Sequence, residues 1–138
     1  MIKLSKTGDS ALKAICYIAD HAPEIIQIRD ISAGQGISES HLRLIIADLN
    51  NAGILRTIRG RNGGVQLAQS PSTLSVFDIL QAVGEELGIT DCTKDIYCEK
   101  KSECYTTDVL GNLQKGFNSL LKIHTLDKII QTKKDPLK

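Results

Sequence analysis

The sequence has little aromatic surface and no long apolar run. It contains no tryptophan and only 4% aromatic residues, which argues against a stacking platform for single-stranded nucleic acid. No window approaches the run of about 18 apolar residues that a membrane-spanning helix requires. The first residues, Met1 to Lys6, lack the long apolar segment of a signal peptide. We therefore expect a cytoplasmic protein without membrane association.

The net charge is small, only +1 over 138 residues, although 24% of the residues are charged. Its distribution is uneven. Residues 1–70 carry 8 basic and 6 acidic side chains, residues 85–108 carry 3 and 7, and residues 109–138 carry 6 and 2. The length predicts one domain of ordinary size. An acidic segment therefore separates a mildly basic head from a basic C-terminal part.

Three of the four cysteines lie in that acidic segment. Cys92, Cys98 and Cys104 follow one another at steps of six residues, among polar and charged side chains. In a reducing cytosol, clustered cysteines bind metals or act in redox chemistry more often than they form disulfides. The spacing favours a loop that surrounds a soft metal centre with thiolates. Cys16 instead falls on the apolar stripe of the first predicted helix, and we expect it in the core.

Residues 30–51 have the pattern of a helix-turn-helix. The sequence predicts a short helix over residues 30–35, stopped by Gly36, and a longer helix that Ser38 caps and that ends near Asn51. Its apolar residues face inward at helical spacing, and the polar residues near its start point outward. The candidate DNA contacts on this helix are Ser38, Ser40, His41 and Arg43.

A glycine-rich turn with two arginines follows, between predicted strands at residues 54–58 and 65–67. A solvated turn is the ordinary interpretation of such a segment. The preceding helix-turn-helix favours a basic wing, in which Arg59, Arg61, Asn62 and Gly63 contact phosphates or a minor groove. A phosphate-cradling P-loop is not supported, because no Lys-Ser/Thr pair and helix follow the glycines.

The remaining pattern predicts a first helix over residues 6–22, a brief strand over 25–28 and a helix over 76–83. A long helix over residues 106–122 has an apolar stripe formed by Leu110, Leu113, Phe117, Leu120 and Leu121. This stripe suits packing against a second copy, and the alternative is that the helix folds back on its own head.

We therefore predict a mostly α fold with a small β-wing: a winged helix-turn-helix head plus a long dimerisation helix. The predicted divisions are a head (1–84), a cysteine-rich loop (85–105), a dimerisation helix with a short closing helix (106–131) and a tail (132–138).

This arrangement resembles the Rrf-two family of bacterial winged-helix regulators, which includes the IscR, NsrR and RirA types. The similarity covers about residues 2 to 130. It is carried by residues 3–6 (KLSK), 35–42 (QGISESHL), 59–64 (RGRNGG) and 125–130 (TLDKII), and most specifically by the three-cysteine loop.

The resemblance implies an iron–sulfur cluster held by Cys92, Cys98 and Cys104. IscR-type proteins have a histidine three residues after the last cysteine and carry a 2Fe–2S cluster, but Thr107 occupies that position here. In the NsrR type, an aspartate in the first helix of the other subunit completes a 4Fe–4S site. Asp9 aligns with that aspartate, so the resemblance favours 4Fe–4S over 2Fe–2S. The alternative role for Asp9 is a carboxylate that stabilises a helix N-terminus.

The predicted function is a homodimeric regulator that binds a pseudo-palindromic double-stranded DNA operator with an affinity controlled by the cluster. A zinc-binding regulator uses the same thiols, although structural zinc prefers cysteines two to four residues apart. A metal-free thiol switch is a second alternative. An enzyme or electron carrier is not supported, because no catalytic constellation or cofactor loop is present.

Overall fold

The structure is a computed structural model that describes residues 3–90, 93 and 103–135. Over these residues it contains six α-helices, one short 3-10 helix and one two-stranded sheet. In chain order they are α1 (Lys6–Asp20), α2 (Ile28–Gln35), α3 (Glu39–Asn51), β1 (Leu55–Ile58), β2 (Gly64–Leu67), the 3-10 helix (Pro71–Thr73), α4 (Val76–Ala82), α5 (Thr107–Ile123) and α6 (Leu126–Lys134). The predicted fold class, mostly α with a small β-wing, is confirmed.

Helix α1 is the central element of the head, where it contacts α2, α3, α4, α6 and β2. It begins after Ser5, whose hydroxyl accepts a hydrogen bond from the backbone N–H of Gly8 at 3.0 Å. It ends at Asp20, two residues before the predicted end. Pro23 disfavours the helical conformation at the residue before it, so the helix stops short of the proline.

The buried face of α1 differs slightly from the apolar stripe that helical spacing predicts, which consists of Leu12, Ile15, Cys16 and Ala19. Its most deeply buried residues include Ala11, Ala14 and Ile18, whereas Cys16 is only half-buried and packs against the edge of the core. Two alanines on the inner face allow neighbouring helices to approach closely. Burial raises the pKa of the Cys16 thiol, which keeps it protonated and unreactive at neutral pH.

Helices α2 and α3 form the predicted helix-turn-helix. Gly36 ends α2 with a φ of 65°, a left-handed conformation that favours glycine. The inward residues of α3 are buried as predicted, and they are Leu42, Ile45, Ile46 and Leu49. The sheet that follows pairs β1 with β2 in antiparallel register, from Leu55 opposite Leu67 to Ile58 opposite Gly64.

The predicted strand over residues 25–28 is reduced to a single bridge between Ile26 and Val65. Ile28 instead begins α2. The helix takes the last residue of the segment, and Gln27 is its N-cap, so no room remains for a strand. The bridge still matters, because it joins the helix-turn-helix to the base of the wing.

Helix α4 begins with a capping box in which Ser75 and Asp78 bond reciprocally, at 3.2 Å and 3.0 Å. Ser75 also pairs with Thr125, so the chain that enters α6 returns to the head. Helix α6 contacts α1, and Leu126 is fully buried. The predicted closing helix is thus anchored on the DNA-binding head.

Helix α5 divides its apolar residues between two faces. Leu110, Phe117 and Leu121 are half-buried on the side that packs on α4. Leu113 and Leu120 are more than half exposed, together with Val109 and Ile123. The predicted stripe therefore spans more than one face, because at about 100° per residue Leu113 and Leu120 lie roughly 60–80° around the helix from Leu110. None of the described helices is long and apolar enough to cross a membrane.

Candidate DNA interface and cysteine loop

The N-terminus of α3 is fixed by its cap. The Ser38 hydroxyl accepts a hydrogen bond from the His41 backbone N–H at 3.3 Å. Ser38, Ser40 and Arg43 are exposed, and Arg43 lies 3.5 Å from Glu39 in an exposed ion pair within the helix. Such a pair contributes little to stability, so the guanidinium can leave it for a phosphate or a base.

His41 has a different position from the other polar residues of α3. Its ring is half-buried, and Nε2 lies 3.3 Å from the Thr7 hydroxyl on the first turn of α1. The side chain therefore connects the recognition helix to α1. His41 is a predicted DNA contact. In the structure its ring lies on the flank of α3 and contacts Thr7.

The turn between β1 and β2 presents the predicted basic wing. Arg59, Arg61 and Asn62 are exposed at its tip. Gly63 is different, because a Cβ there would lie 2.2 Å from the Ile58 carbonyl oxygen, and its N–H donates to the Gly60 carbonyl at 3.0 Å. The glycine is required for the tight turn that carries the arginines.

The cysteine loop is described only at its end. Cys92 and Cys98 lie outside the described residues. Cys104 is exposed and lies two residues before Thr106, the N-cap of α5. Its Sγ lies 3.2 Å from the Thr106 hydroxyl. Hydrogen bonds from Thr106, and then from Thr107, lower the pKa of the Cys104 thiol to about 7. A thiolate at a helix N-terminus suits a metal ligand or a reactive sulfur.

Asp9 lies on the first turn of α1, where its carboxylate is about half exposed. It pairs with Lys13 at 2.7 Å, and the lysine side chain is equally exposed. An exposed pair one helical turn apart is weak, so the carboxylate remains available to another partner. Both proposed interpretations of Asp9, a ligand and a helix N-terminal carboxylate, are compatible with this position.

Glu85, directly after α4 and its closing Gly84, ties the beginning of the cysteine loop to α1. Its carboxylate accepts a hydrogen bond from the Ser5 backbone N–H at 2.9 Å and another from the Ser5 hydroxyl. A Cβ at Gly8 would lie 2.6 Å from Glu85 Oε2, so a side chain there would displace the carboxylate. An anion at a helix N-terminus is favourable because of the exposed N–H groups and the helix dipole.

Gln114 ties the same loop segment to α5. This side chain is 8% exposed and uses both ends of its amide. Oε1 accepts from the Ile89 N–H at 2.7 Å, and Nε2 donates to the Leu87 carbonyl and to Asn118 Oδ1, both at 2.8 Å. The loop is thus anchored near its start by Gln114, and Cys104 joins it to the start of α5.

No pattern in the sequence identified Thr7, Glu85 or Gln114. A glycine inside α1, at position 8, was one available indication of a close approach, because glycine is unfavourable within a helix. The described residues contain no group of three His, Cys, Asp or Glu side chains that could hold a metal. Of the four predicted ligands, Cys104 and Asp9 are described. Cys104 offers an exposed thiol, the donor that iron–sulfur clusters use, and Asp9 offers an exposed carboxylate.

A helix-turn-helix with an exposed polar face, followed by a two-stranded wing with exposed arginines, defines the class of winged-helix DNA-binding regulators. Residues 4–132 match the model of the Rrf2 family, described as iron-dependent transcriptional regulators. The chain belongs to this family, and it is a DNA-binding transcriptional regulator and not an enzyme.

Relatives and solved structures agree with that assignment. The chain is 32% identical to the transcriptional regulator IscR of Aliivibrio salmonicida, over 87% of this chain and 72% of that protein. It is 27% identical to the regulator NsrR of Bacillus licheniformis, over 94% and 92%. The solved structure of T. potens IscR superimposes with a TM-score of 0.80 at 25% identity, covering 99% of this chain and 92% of that one.

Proposed function

We propose that this chain is a homodimeric regulator whose affinity for its DNA operator is set by an iron–sulfur cluster. The cluster would be held by Cys92, Cys98 and Cys104, and by Asp9 of the second subunit. The observation that carries the proposal is Cys104, an exposed thiol next to the start of α5 in a chain that matches the family of iron-dependent regulators. When bound, the cluster supplies a redox-active, thiolate-ligated iron centre.

The first turn of α1 is where this chain's own residues would connect the cluster to DNA binding. Ser5 bonds to Glu85 at the start of the cysteine loop, and Thr7 contacts His41 on α3. Asp9 lies on the same turn. A change at the cysteine loop would therefore reach the recognition helix through one helical turn. Allosteric coupling of this kind is worth roughly 1–3 kcal/mol, or about 5- to 150-fold in affinity.

The exposed stripe of α5 is the proposed contact between the two subunits. Val109, Leu113, Leu120 and Ile123, together with Gly116, follow one another at steps of four and three residues, which is the spacing of a coiled-coil seam. A dimer with two-fold symmetry places two recognition helices in successive major grooves, about one DNA turn apart. The operator is then pseudo-palindromic.

The proposal is tested by purifying the protein without air and measuring its iron content and visible absorption. Asp9→Ala is compared with Asp48→Ala, which removes an exposed carboxylate from α3. Four irons per subunit in the wild type, reduced only by Asp9→Ala, would support the complete proposal. A two-iron spectrum unaffected by Asp9→Ala would move the fourth ligand elsewhere. A colourless protein after reconstitution with iron and sulfide would refute the iron–sulfur proposal.

Cys104 also supports a second candidate, a metal-free thiol switch. Its lowered pKa makes a thiolate available near neutral pH, and thiolates are the species that oxidants attack. Titrating free thiols in metal-free protein before and after peroxide treatment, and measuring DNA affinity on the same samples, separates this candidate from the first. It predicts an affinity change in protein that has never contained iron.

A further inference from the structure

Leu44 is an exposed leucine in the middle of the recognition helix. Its side chain is 69% exposed, the highest value for a large apolar residue within residues 3–90. A single exposed leucine on a protein surface needs no explanation in general. This one lies on α3, the element that a helix-turn-helix protein inserts into the major groove.

The burial pattern of α3 shows which way Leu44 points. Successive residues of a helix turn by about 100°, so the face opposite the buried one can be identified. Ser40, Leu44 and Ala47 fall on that opposite face, and all three are exposed. The buried face is formed by Leu42, Ile45, Ile46 and Leu49. The centre of the outward face is therefore apolar, with a serine at its N-terminal end.

The charged and polar candidates lie to either side of this centre. Arg43 lies on one flank, where it pairs with Glu39 at 3.5 Å. His41 lies on the other flank, where it contacts Thr7. Neither side chain covers Leu44, which meets the DNA directly if α3 enters the groove with its core face turned away. The predicted DNA contacts thus frame an apolar position.

The apolar group that the major groove offers is the 5-methyl group of thymine. Methyl contacts of small apolar side chains with thymine distinguish A·T from G·C pairs, and also T·A from A·T. We propose that Leu44 is a specificity-determining residue that contacts a thymine methyl group in each half-site of the operator. The proposal depends on DNA binding by α3 and is independent of the cluster.

The experiment uses the full chain and a DNA duplex selected from a random-sequence library as the tightest binder. Each thymine is replaced in turn by 2'-deoxyuridine, which keeps the base pair and removes only the methyl group. At one thymine of each half-site we expect wild-type affinity to fall about fourfold, the factor for one buried methyl-sized group. With Leu44→Ala, the same replacement should change affinity by less than about 1.5-fold.

Leu44→Ala should fold normally, because the residue is exposed and alanine is a better helix former. Ile25→Ala removes another exposed apolar side chain of the head, outside α3, and should keep the full methyl effect. Leu44→Met should also keep it. The proposal is overturned if no thymine replacement weakens wild-type binding, or if Leu44→Ala retains the same loss at the same thymine.

Discussion

Replacing Gln114 with alanine should release the start of the cysteine loop from α5. Among the described side chains, only the amide of Gln114 bonds to the backbone of Leu87 and Ile89, which lie four and two residues before the loop leaves the described part of the chain. Asn118, one turn further along α5, orients the same amide. Alanine keeps the helix and removes all three hydrogen bonds.

The magnitude follows from those bonds. A typical intramolecular hydrogen bond contributes about 0.5–1.5 kcal/mol, so three together contribute between about 1.5 and 4.5 kcal/mol. Water can reach Leu87 and Ile89, which are half-buried, and the loss should fall in the lower half of that range. Since small domains have a total stability of about 5–15 kcal/mol, the head should remain folded while the segment opens.

Amide hydrogen exchange in metal-free protein measures this opening directly. Gln114→Ala should speed exchange at Ile89 by about tenfold or more, since 1.4 kcal/mol is a factor of ten, while amides of α1 and α3 keep their wild-type rates. Asn112→Ala is the matched control, because it truncates an exposed amide on the same helix. Unchanged exchange at Ile89 in Gln114→Ala would refute the anchoring role. Equal acceleration in both variants would assign the effect to α5 as a whole.

Three further results are expected. In a variant that lacks the two other loop cysteines, the rate of Cys104 alkylation should rise with pH through a midpoint near 7, because its lowered pKa gives a thiolate there. Alkylation of Cys16 should stay slow, because burial raises the pKa of its thiol. Equal alkylation rates of the two cysteines at pH 7 would contradict this. If α5 forms the proposed dimer contact, Leu120→Glu should give a monomer in native mass measurements, whereas Ser119→Glu, beside the stripe, should leave the proposed dimer intact. Glu85→Gln should reduce the ratio between the DNA affinities of cluster-containing and cluster-free protein, and a wild-type ratio would show that Ser5 does not transmit the change.

The features that depend only on the local sequence were predictable. The Ser38 and Ser75 caps and the stop at Gly36 each depend on a few neighbouring residues, and all appear as predicted. The wing was predictable for the same reason, since the two arginines stand in a glycine-rich turn between short apolar runs. Element ends were less certain, and the predicted strand at residues 25–28 was wrong because α2 begins at Ile28.

The contacts that join the parts were not predictable. Glu85 meets Ser5 across 80 residues, and Thr7 meets His41 across 34. No local pattern identifies such partners, because each is an ordinary polar residue in its own segment. The same limit applies to the apolar stripe on α5. The sequence predicts one continuous surface, whereas in the structure part of the stripe packs on α4 and part is exposed to solvent. Long-range packing decides which apolar residues remain available for a partner.

Control of DNA binding by the cluster is best tested by measuring DNA affinity with and without the cluster. The same preparation is measured anaerobically on the selected duplex, before and after chelation removes the iron, with visible absorption recording the cluster in each sample. Control of DNA binding by the cluster predicts affinities that differ by roughly fivefold or more. Equal affinities, in samples whose absorption shows that the cluster was present and then lost, would show that the cluster does not control DNA binding.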